Sequence, residues 1–420
     1  MNTYELKTVL KEMISEFHVS GLPPFYKRDI KVPEFKRINK IITLVGPRRA
    51  GKTYLLYQIM KSLLNKGHEI TDFVYINFEN ERLFGIKAQD LHNILKAYTE
   101  LYPRKKNKPI LFFDEIQNVP NWELFVRGLH DRGYKIYVTG SNSKLLSREI
   151  ASSLRGRATS VEVFPLSFRE FLTFRGIELK ENWEYSQASL IKSLFDKYMN
   201  TSGFPEIVLE DRLGIIDDYF KTIFYHDVID RYRIKNMDLM EFLMNYLIRI
   251  YSQEFSINKF HHLAKAQGYK SSTSVVHNYI RMLKEVYFAF LVTQRRKGKK
   301  EFTYSKKNYL VDHGFINYYV VNKDLGRLLE NIVFLHLRRK NNLVYFYKDR
   351  YECDFLTSKA YQVTYVLNDD NYKREIGGLT TACQRFKLRG RIITYDTEDT
   401  VRVGSRSIPV IPIWKWLLKE

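Results

Sequence analysis

Ile41-Ile42-Thr43-Leu44-Val45-Gly46-Pro47-Arg48-Arg49-Ala50-Gly51-Lys52-Thr53 is the stretch that decides how this 420-residue chain is read. An apolar, β-branched run stops at Gly46. Four residues later Gly51-Lys52-Thr53 opens a segment with Leu55, Leu56, Ile59, Met60 and Leu63 at helical spacing. Strand, G-x-x-x-x-G-K-[ST], helix is the context a Walker A loop requires. The glycines let backbone N–H groups turn inward as an anion nest at a helix N-terminus. Lys52 is a point charge for the β- and γ-phosphates, and Thr53 offers a hydroxyl to Mg²⁺. Gly46, Pro47, Arg48, Arg49, Ala50, Gly51, Lys52, Thr53 and Tyr54 are the candidate binding residues for ATP or ADP.

Working outward, Asp72-Phe73-Val74-Tyr75-Ile76-Asn77-Phe78-Glu79 reads as a buried strand ending in polar residues. Ile110-Leu111-Phe112-Phe113-Asp114-Glu115 is four apolar residues followed by two acids, a Walker B pattern. Asp114 would hold Mg²⁺ with Thr53, and Glu115 would polarise the attacking water. Phosphoryl transfer asks for positioning and charge compensation more than for covalent chemistry. The strand Lys135–Gly140 is followed by Ser141-Asn142-Ser143. Asn142 or Ser141 is a candidate γ-phosphate sensor at the carboxyl end of a parallel strand; helix capping by Ser141 or Ser143 explains the same residues. Arg155 or Arg157, ahead of a strand near Val161–Phe164, is a candidate phosphate-reaching arginine, in cis or from a neighbouring subunit. A surface role is the alternative. Upstream, residues 1–20 form an amphipathic helix carrying Leu6, Val9, Leu10, Met13, Ile14 and Phe17, broken by Leu22-Pro23-Pro24-Phe25.

The composition sets the frame. Hydrophobic residues make up 45% of the chain and aromatics 15%, enough for the cores of two to four domains. Two cysteines, Cys353 and Cys383, make neither a disulfide framework nor a zinc set, which fits a reducing cytoplasm. The first residues lack the pattern of a signal peptide, and no run of apolar residues is long enough to span a membrane. A net charge of +21 favours acidic partners, nucleic acid first among them.

Taken together, the Walker elements, Tyr75–Glu79, Thr139–Ser143, Leu154-Arg155-Gly156-Arg157, Phe164–Phe171 and Ser202-Gly203-Phe204-Pro205-Glu206 resemble an archaeal-type P-loop ATPase of the AAA+ (STAND-like) superfamily. Ser202 departs from it, since a second glycine is usual there. The resemblance implies an α/β fold: a parallel P-loop sheet over 21–164, a helical lid over 165–235, a winged helix over 236–318 and an α+β, nuclease-like domain over 319–420. It also implies ATP binding and hydrolysis.

The later segments agree in pattern. Residues 165–235 are mainly helical, with Arg231 and Arg233 able to face nucleotide or solvent. Residues 236–305 read as helix, helix, helix, hairpin, with Leu239–Ser252 first, a strand over Phe288–Thr293, a basic turn over 295–300 and a return strand over Glu301–Tyr304. Asn278 and Arg281 on the third helix, and Lys297 and Lys299 on the turn, are candidate DNA contacts; an intramolecular spacer is the alternative. In the last domain Glu330 and Asp354 match the metal-binding acids of the nuclease fold, but Gln362 and Thr364 stand where its Glu and Lys belong. A neutral amide is a poor ligand for a hard cation, so cutting is not expected. The whole predicts an ATP-driven switch or motor associated with nucleic acid. The alternatives are a nucleotide-gated scaffold with a protein partner, or as a homo-oligomer, and an ATP-regulated nuclease.

Overall fold

The computed structural model describes residues 3–35, 39–141, 154, 156–179, 183–296, 306–341, 343–404 and 406–419. The chain divides between Val163 and Phe164 into two compact units.

The first unit is a five-stranded parallel sheet with helices on both faces. Its strands are β1 (Ile41–Val45), β2 (Phe73–Asn77), β3 (Ile110–Asp114), β4 (Ile136–Gly140) and β5 (Ala158–Glu162), in the order β2-β3-β4-β1-β5. Successive side chains on a strand face opposite ways, so each strand feeds two cores. Leu111 and Phe113 of β3 join Val74, Ile76, Ile136 and Val138 under α1 (Thr3–Ser20), α3 (His92–Leu101) and α4 (Trp122–Asp131). Ile110 and Phe112 join Ile42, Leu44, Phe73 and Tyr137 under α2 (Lys52–Leu64). The helical spacing read from the sequence is the buried face of α2, where Leu55, Leu56, Ile59 and Met60 are covered. The turn after that helix closes at Gly67, whose left-handed φ of 92° reverses the chain. Strand order puts β4 between the Walker A strand β1 and the Walker B strand β3, so side chains at its carboxyl end face both.

The second unit begins with helices α5 (Phe168–Phe174), α6 (Tyr185–Asn200), α7 (Pro205–Glu210) and α8 (Ile215–Thr222). Ser167 and Glu170 close a reciprocal capping box on α5. A π-helical stretch, Ile223–Asp230, follows α8 and was not expected. Arg231, partly exposed, pairs with Asp227 one turn back at 3.4 Å. Next come α9 (Met237–Arg249), β6 (Gln253–Phe255), α10 (Ile257–Ala266), α11 (Thr273–Glu285), β7 (Ala289–Val292) and β8 (Lys306–Leu310), the strands forming an antiparallel sheet in the order β6-β8-β7. The sequence pattern missed β6, which is only three residues long. The strand expected at Glu301–Tyr304 lies outside the described residues, and the observed partner of β7 is β8.

The last segment holds α12 (Gly314–Tyr319), α13 (Leu325–Lys340), β9 (Tyr345–Lys348), β10 (Glu352–Leu356), β11 (Ala360–Val363), α14 (Asp369–Phe386), β12 (Gly390–Thr394), β13 (Asp399–Val403), β14 (Arg406–Pro412) and α15 (Ile413–Lys419). Six of these form a mixed sheet in the order β13-β14-β12-β11-β10-β9. The apolar ending is buried through Ile408, Val410, Ile413, Trp414, Trp416, Leu417 and Leu418.

Ser202, the departure from the family pattern, is fully buried. Its hydroxyl donates to Asp312 Oδ1 at 2.7 Å and accepts from Phe204 N at 3.0 Å. Asp312 also accepts from Gly203 N and Gly314 N, so the serine completes a knot that a glycine would leave short of one donor.

Candidate nucleotide site

Chain direction builds the site. β1 delivers Gly46 at its carboxyl end, and Gly51 turns the chain into α2 with a φ of 89°. Gly46 is required by space as well. A Cβ there would lie 2.0 Å from the Val163 carbonyl oxygen, and Val163 is pinned by its own N–H to Val45 O at 2.7 Å. Because both groups are backbone, neither can rotate away. Gly46→Ala is expected to lower the thermal midpoint by at least ~3 °C and to abolish nucleotide binding; a variant with wild-type melting and affinity would show that the loop tolerates the shift.

Lys52 is buried at 4% exposure, and its ammonium folds back on the loop. Nζ donates to Gly46 O at 3.3 Å and Pro47 O at 3.0 Å, and lies 3.3 Å from Glu115 Oε1. The loop thus carries its cation pre-positioned, satisfied by groups that a phosphate can displace. Arg28 braces it from outside: the guanidinium donates to Ala50 O at 2.6 Å, and the Arg28 backbone exchanges hydrogen bonds with Gln58. Arg48 pairs with Glu79 beyond β2 at 2.6 Å. Arg49 holds a left-handed φ of 61°, and Tyr54 is half exposed, edge-on to Tyr57.

β3 delivers the two acids. Asp114 Oδ2 accepts from Thr53 Oγ1 at 2.7 Å and from Tyr75 OH at 3.0 Å, and Oδ1 accepts from Thr139 Oγ1. Thr139 Oγ1 also accepts from Glu115 N at 2.8 Å, so one hydroxyl at the end of β4 fixes both acids. Glu115 has a left-handed φ of 50°, which swings its side chain away from Asp114 toward Lys52. Gln117 Nε2 donates to Glu115 Oε2 at 2.5 Å and reaches Ser141 Oγ at 3.4 Å.

The environment pulls the two acids apart electrostatically. Burial, reinforced by the Glu115 charge, raises the Asp114 carboxyl, although the Thr139 and Thr53 hydroxyls and Lys52 oppose it. Burial also works to raise Glu115, but Lys52, the Gln117 amide and Arg48 outweigh it and hold that carboxyl below the ordinary glutamate value. Glu115 therefore stays a charged base beside a neighbour short of positive charge. Thr53 and Asp114 are hard oxygen donors side by side, which suits them to share Mg²⁺ with a nucleotide. Among the described residues no group of three or more His, Cys, Asp or Glu could hold a metal ion.

One expectation needs correction. Arg157 is not at the phosphate end of the sheet. It precedes β5, accepts from Ile41 N through its backbone carbonyl at 2.7 Å and pairs with Asp131 at 2.6 Å. The P-loop leaves the other end of β1, five residues away, or about 16 Å of strand; Arg157 does not reach it within its own chain. Of the sensor candidates, Ser141 is buried and contacts Gln117, while Asn142, Ser143 and the alternative arginine Arg155 lie outside the described residues. Thr139, Tyr75, Gln117 and Arg28 were not singled out by the sequence. Thr139 left a signal, a polar residue closing an otherwise apolar strand. Arg28 left none, since only the fold brings it to the loop.

Comparison with known proteins bears on the family. Residues 38–172 match the AAA domain family, and residues 192–325 match a domain family of unknown function. An uncharacterized protein of Methanocaldococcus jannaschii is 40% identical over 434 residues, covering 98% of this chain and 96% of its own length. The chain belongs to the AAA-type P-loop ATPases. An uncharacterized protein of Haemophilus influenzae is 29% identical over 342 residues, 79% of this chain and 83% of its own, so the relatives are not confined to archaea. Among solved structures, a Walker-type ATPase of Pyrococcus abyssi matches with a TM-score of 0.42 at 14% identity, over 74% of this chain and 95% of its own. The Orc1 protein of Aeropyrum pernix, solved in complex with DNA, matches with a TM-score of 0.29 at 11% identity, over 79% and 91%.

Proposed function

We propose that this protein is an Mg²⁺-dependent ATPase that works as a nucleotide-driven switch or motor in the cytoplasm, in association with nucleic acid. The observation that carries the ATPase reading is the division of labour between Asp114 and Glu115. One carboxylate is fixed by Thr53, Tyr75 and Thr139, next to the hydroxyl that would share a metal with it. The other is charged, buried and held by Lys52 and Gln117, ready to orient water. Thr53 and Asp114 would hold the Mg²⁺, which would supply charge neutralisation during phosphoryl transfer. Arg157, turned away from the P-loop of its own chain, is left the nucleotide of a neighbouring subunit as its phosphate target.

The nucleic-acid reading is supported by charge and by one helix face. Ser274, His277, Asn278, Arg281 and Lys284 are all exposed on α11, while Val276, Tyr279, Ile280 and Leu283 are buried. The element order from α9 to β8 is that of a winged helix, with α11 in the recognition position. Lys297 and Lys299, the wing candidates, lie outside the described residues. No described helix is long and apolar enough to cross a membrane.

The decisive experiment measures phosphate release with Mg·ATP, with and without duplex DNA, and DNA affinity against salt. Hydrolysis is expected to require Mg²⁺. DNA affinity is expected to fall about 10²-fold between 50 and 200 mM salt, the slope for about four phosphate contacts. Binding that ignores salt, or none at all, would redirect the search to a protein partner.

A further inference from the structure

The resemblance of the last domain to a nuclease implies a divalent cation between Glu330 and Asp354. The structure puts something else there. Lys307, from β8, is buried at 3% exposure, and its ammonium meets Glu330 Oε1 at 2.6 Å, Glu352 Oε1 at 2.6 Å and Asp354 Oδ1 at 3.5 Å. Tyr309, two residues along the same strand, donates to Glu330 Oε1 at 2.5 Å, and Val363 N donates to Asp354 Oδ2 at 2.8 Å. Gln362, where the resemblance calls for a third acid, donates instead to Glu375 of α14 at 2.5 Å, and Arg374 takes the other Glu375 oxygen at 2.6 Å. Thus the carboxylate and the lysine that positions 362 and 364 lack both stand nearby, supplied by other elements.

We propose that Lys307 is a built-in counter-ion, occupying the carboxylate cluster in place of a divalent cation, so that this domain braces the root of the β7–β8 hairpin instead of cutting phosphodiesters. Each acid has a donor or cation from the chain itself. Gln362 Oε1 has no hydrogen-bond partner, but a lone neutral amide oxygen is a weak attraction for a hard dication. A cation entering the cluster would meet the Lys307 charge at bonding distance, and expelling a buried lysine would leave its own site unpaired.

The other strand of the hairpin is anchored to the same sheet. Beyond β7, Gln294 Nε2 donates to Lys348 O at 2.6 Å and Arg295 N to Phe346 O at 2.8 Å, extending the pairing along β9. The Arg295 guanidinium lies 4.9 Å from the Phe386 ring centroid and 5.9 Å from that of Tyr345. Lys348 also pairs with Glu254 of β6. Every strand of the three-stranded sheet is thereby tied to the β9–β10 edge, and Lys307 is the most deeply buried of these ties.

Two measurements on the full chain test this. The first titrates Mn²⁺ into nucleotide-free wild type and Asp354→Asn, read by electron paramagnetic resonance, with Mg²⁺-dependent cleavage of plasmid DNA followed in parallel. Equal Mn²⁺ binding by the two proteins and uncut DNA are expected. A Mn²⁺ site or a cutting activity that disappears in Asp354→Asn would overturn the proposal. The second compares melting of Lys307→Met and Lys307→Arg. The methionine variant is expected to melt about 5–10 °C lower, because it strands buried carboxylates, and the arginine variant closer to wild type. A methionine variant as stable as wild type would overturn the counter-ion role. If it does not fold, the Mn²⁺ comparison decides alone, since it needs no change at Lys307.

Discussion

Replacing Lys52 with alanine is expected to weaken ATP and ADP binding by at least about 100-fold, measured by calorimetry or with a fluorescent nucleotide. Two losses add up. The ammonium that would face the β- and γ-phosphates disappears, and charge-assisted contacts of this kind are the stronger class of hydrogen bond. Glu115, buried and paired with Lys52 at 3.3 Å, is also left without its main counter-charge. An uncompensated carboxylate then faces the loop and repels the triphosphate. Removing one partner of a buried pair costs about 3–5 kcal/mol, and each 1.4 kcal/mol is about tenfold in affinity. Unchanged affinity in Lys52→Ala would mean that nucleotide does not bind at residues 46–53, and the proposed function would fall with it.

Glu115→Gln should separate binding from turnover. The amide keeps the size of the side chain and can still meet Gln117, but it cannot accept a proton from water. A positioned general base contributes about 10²–10⁴-fold, so kcat should fall by that factor. Affinity for ATP should be retained or rise, because Lys52 no longer divides its charge between Glu115 and the phosphates. A variant with wild-type kcat would remove Glu115 from the water-orienting role. One with wild-type kcat and weakened binding would recast it as a support for Lys52.

The parts of the site that were legible in the sequence are contiguous in it. A nest of amides, a lysine and a threonine at one helix start are fixed by local backbone geometry, so Gly46–Thr53 declares itself without any knowledge of the rest. The same is true of Asp114 and Glu115, where a buried strand ends in two acids that burial alone would not tolerate. What could not be read is which side chains hold those groups in place. Thr139 bonds both acids only because β4 inserts between β1 and β3. Tyr75 reaches Asp114 through the pairing of β2 with β3, whose register sets Asn77 against Asp114. Of the roles open to Arg157, a phosphate contact within its own chain is lost because a parallel strand carries it to the far end of the sheet.

The last domain teaches the same lesson with the opposite sign. Position by position, Gln362 and Thr364 read as an acid and a lysine lost. In space Glu375 and Lys307 stand beside the remaining acids, one from a helix after the strand and one from a different sheet. By itself the sequence determined the P-loop, its metal and water acids, and the alternation of apolar strands and helices that makes an α/β core. These follow from hydrogen-bond geometry and side-chain period within a few residues. Only the tertiary structure decided which partners orient the two acids, where each arginine points, and what fills the carboxylate cluster. Those outcomes depend on strand order and register, which bring together residues far apart in the chain.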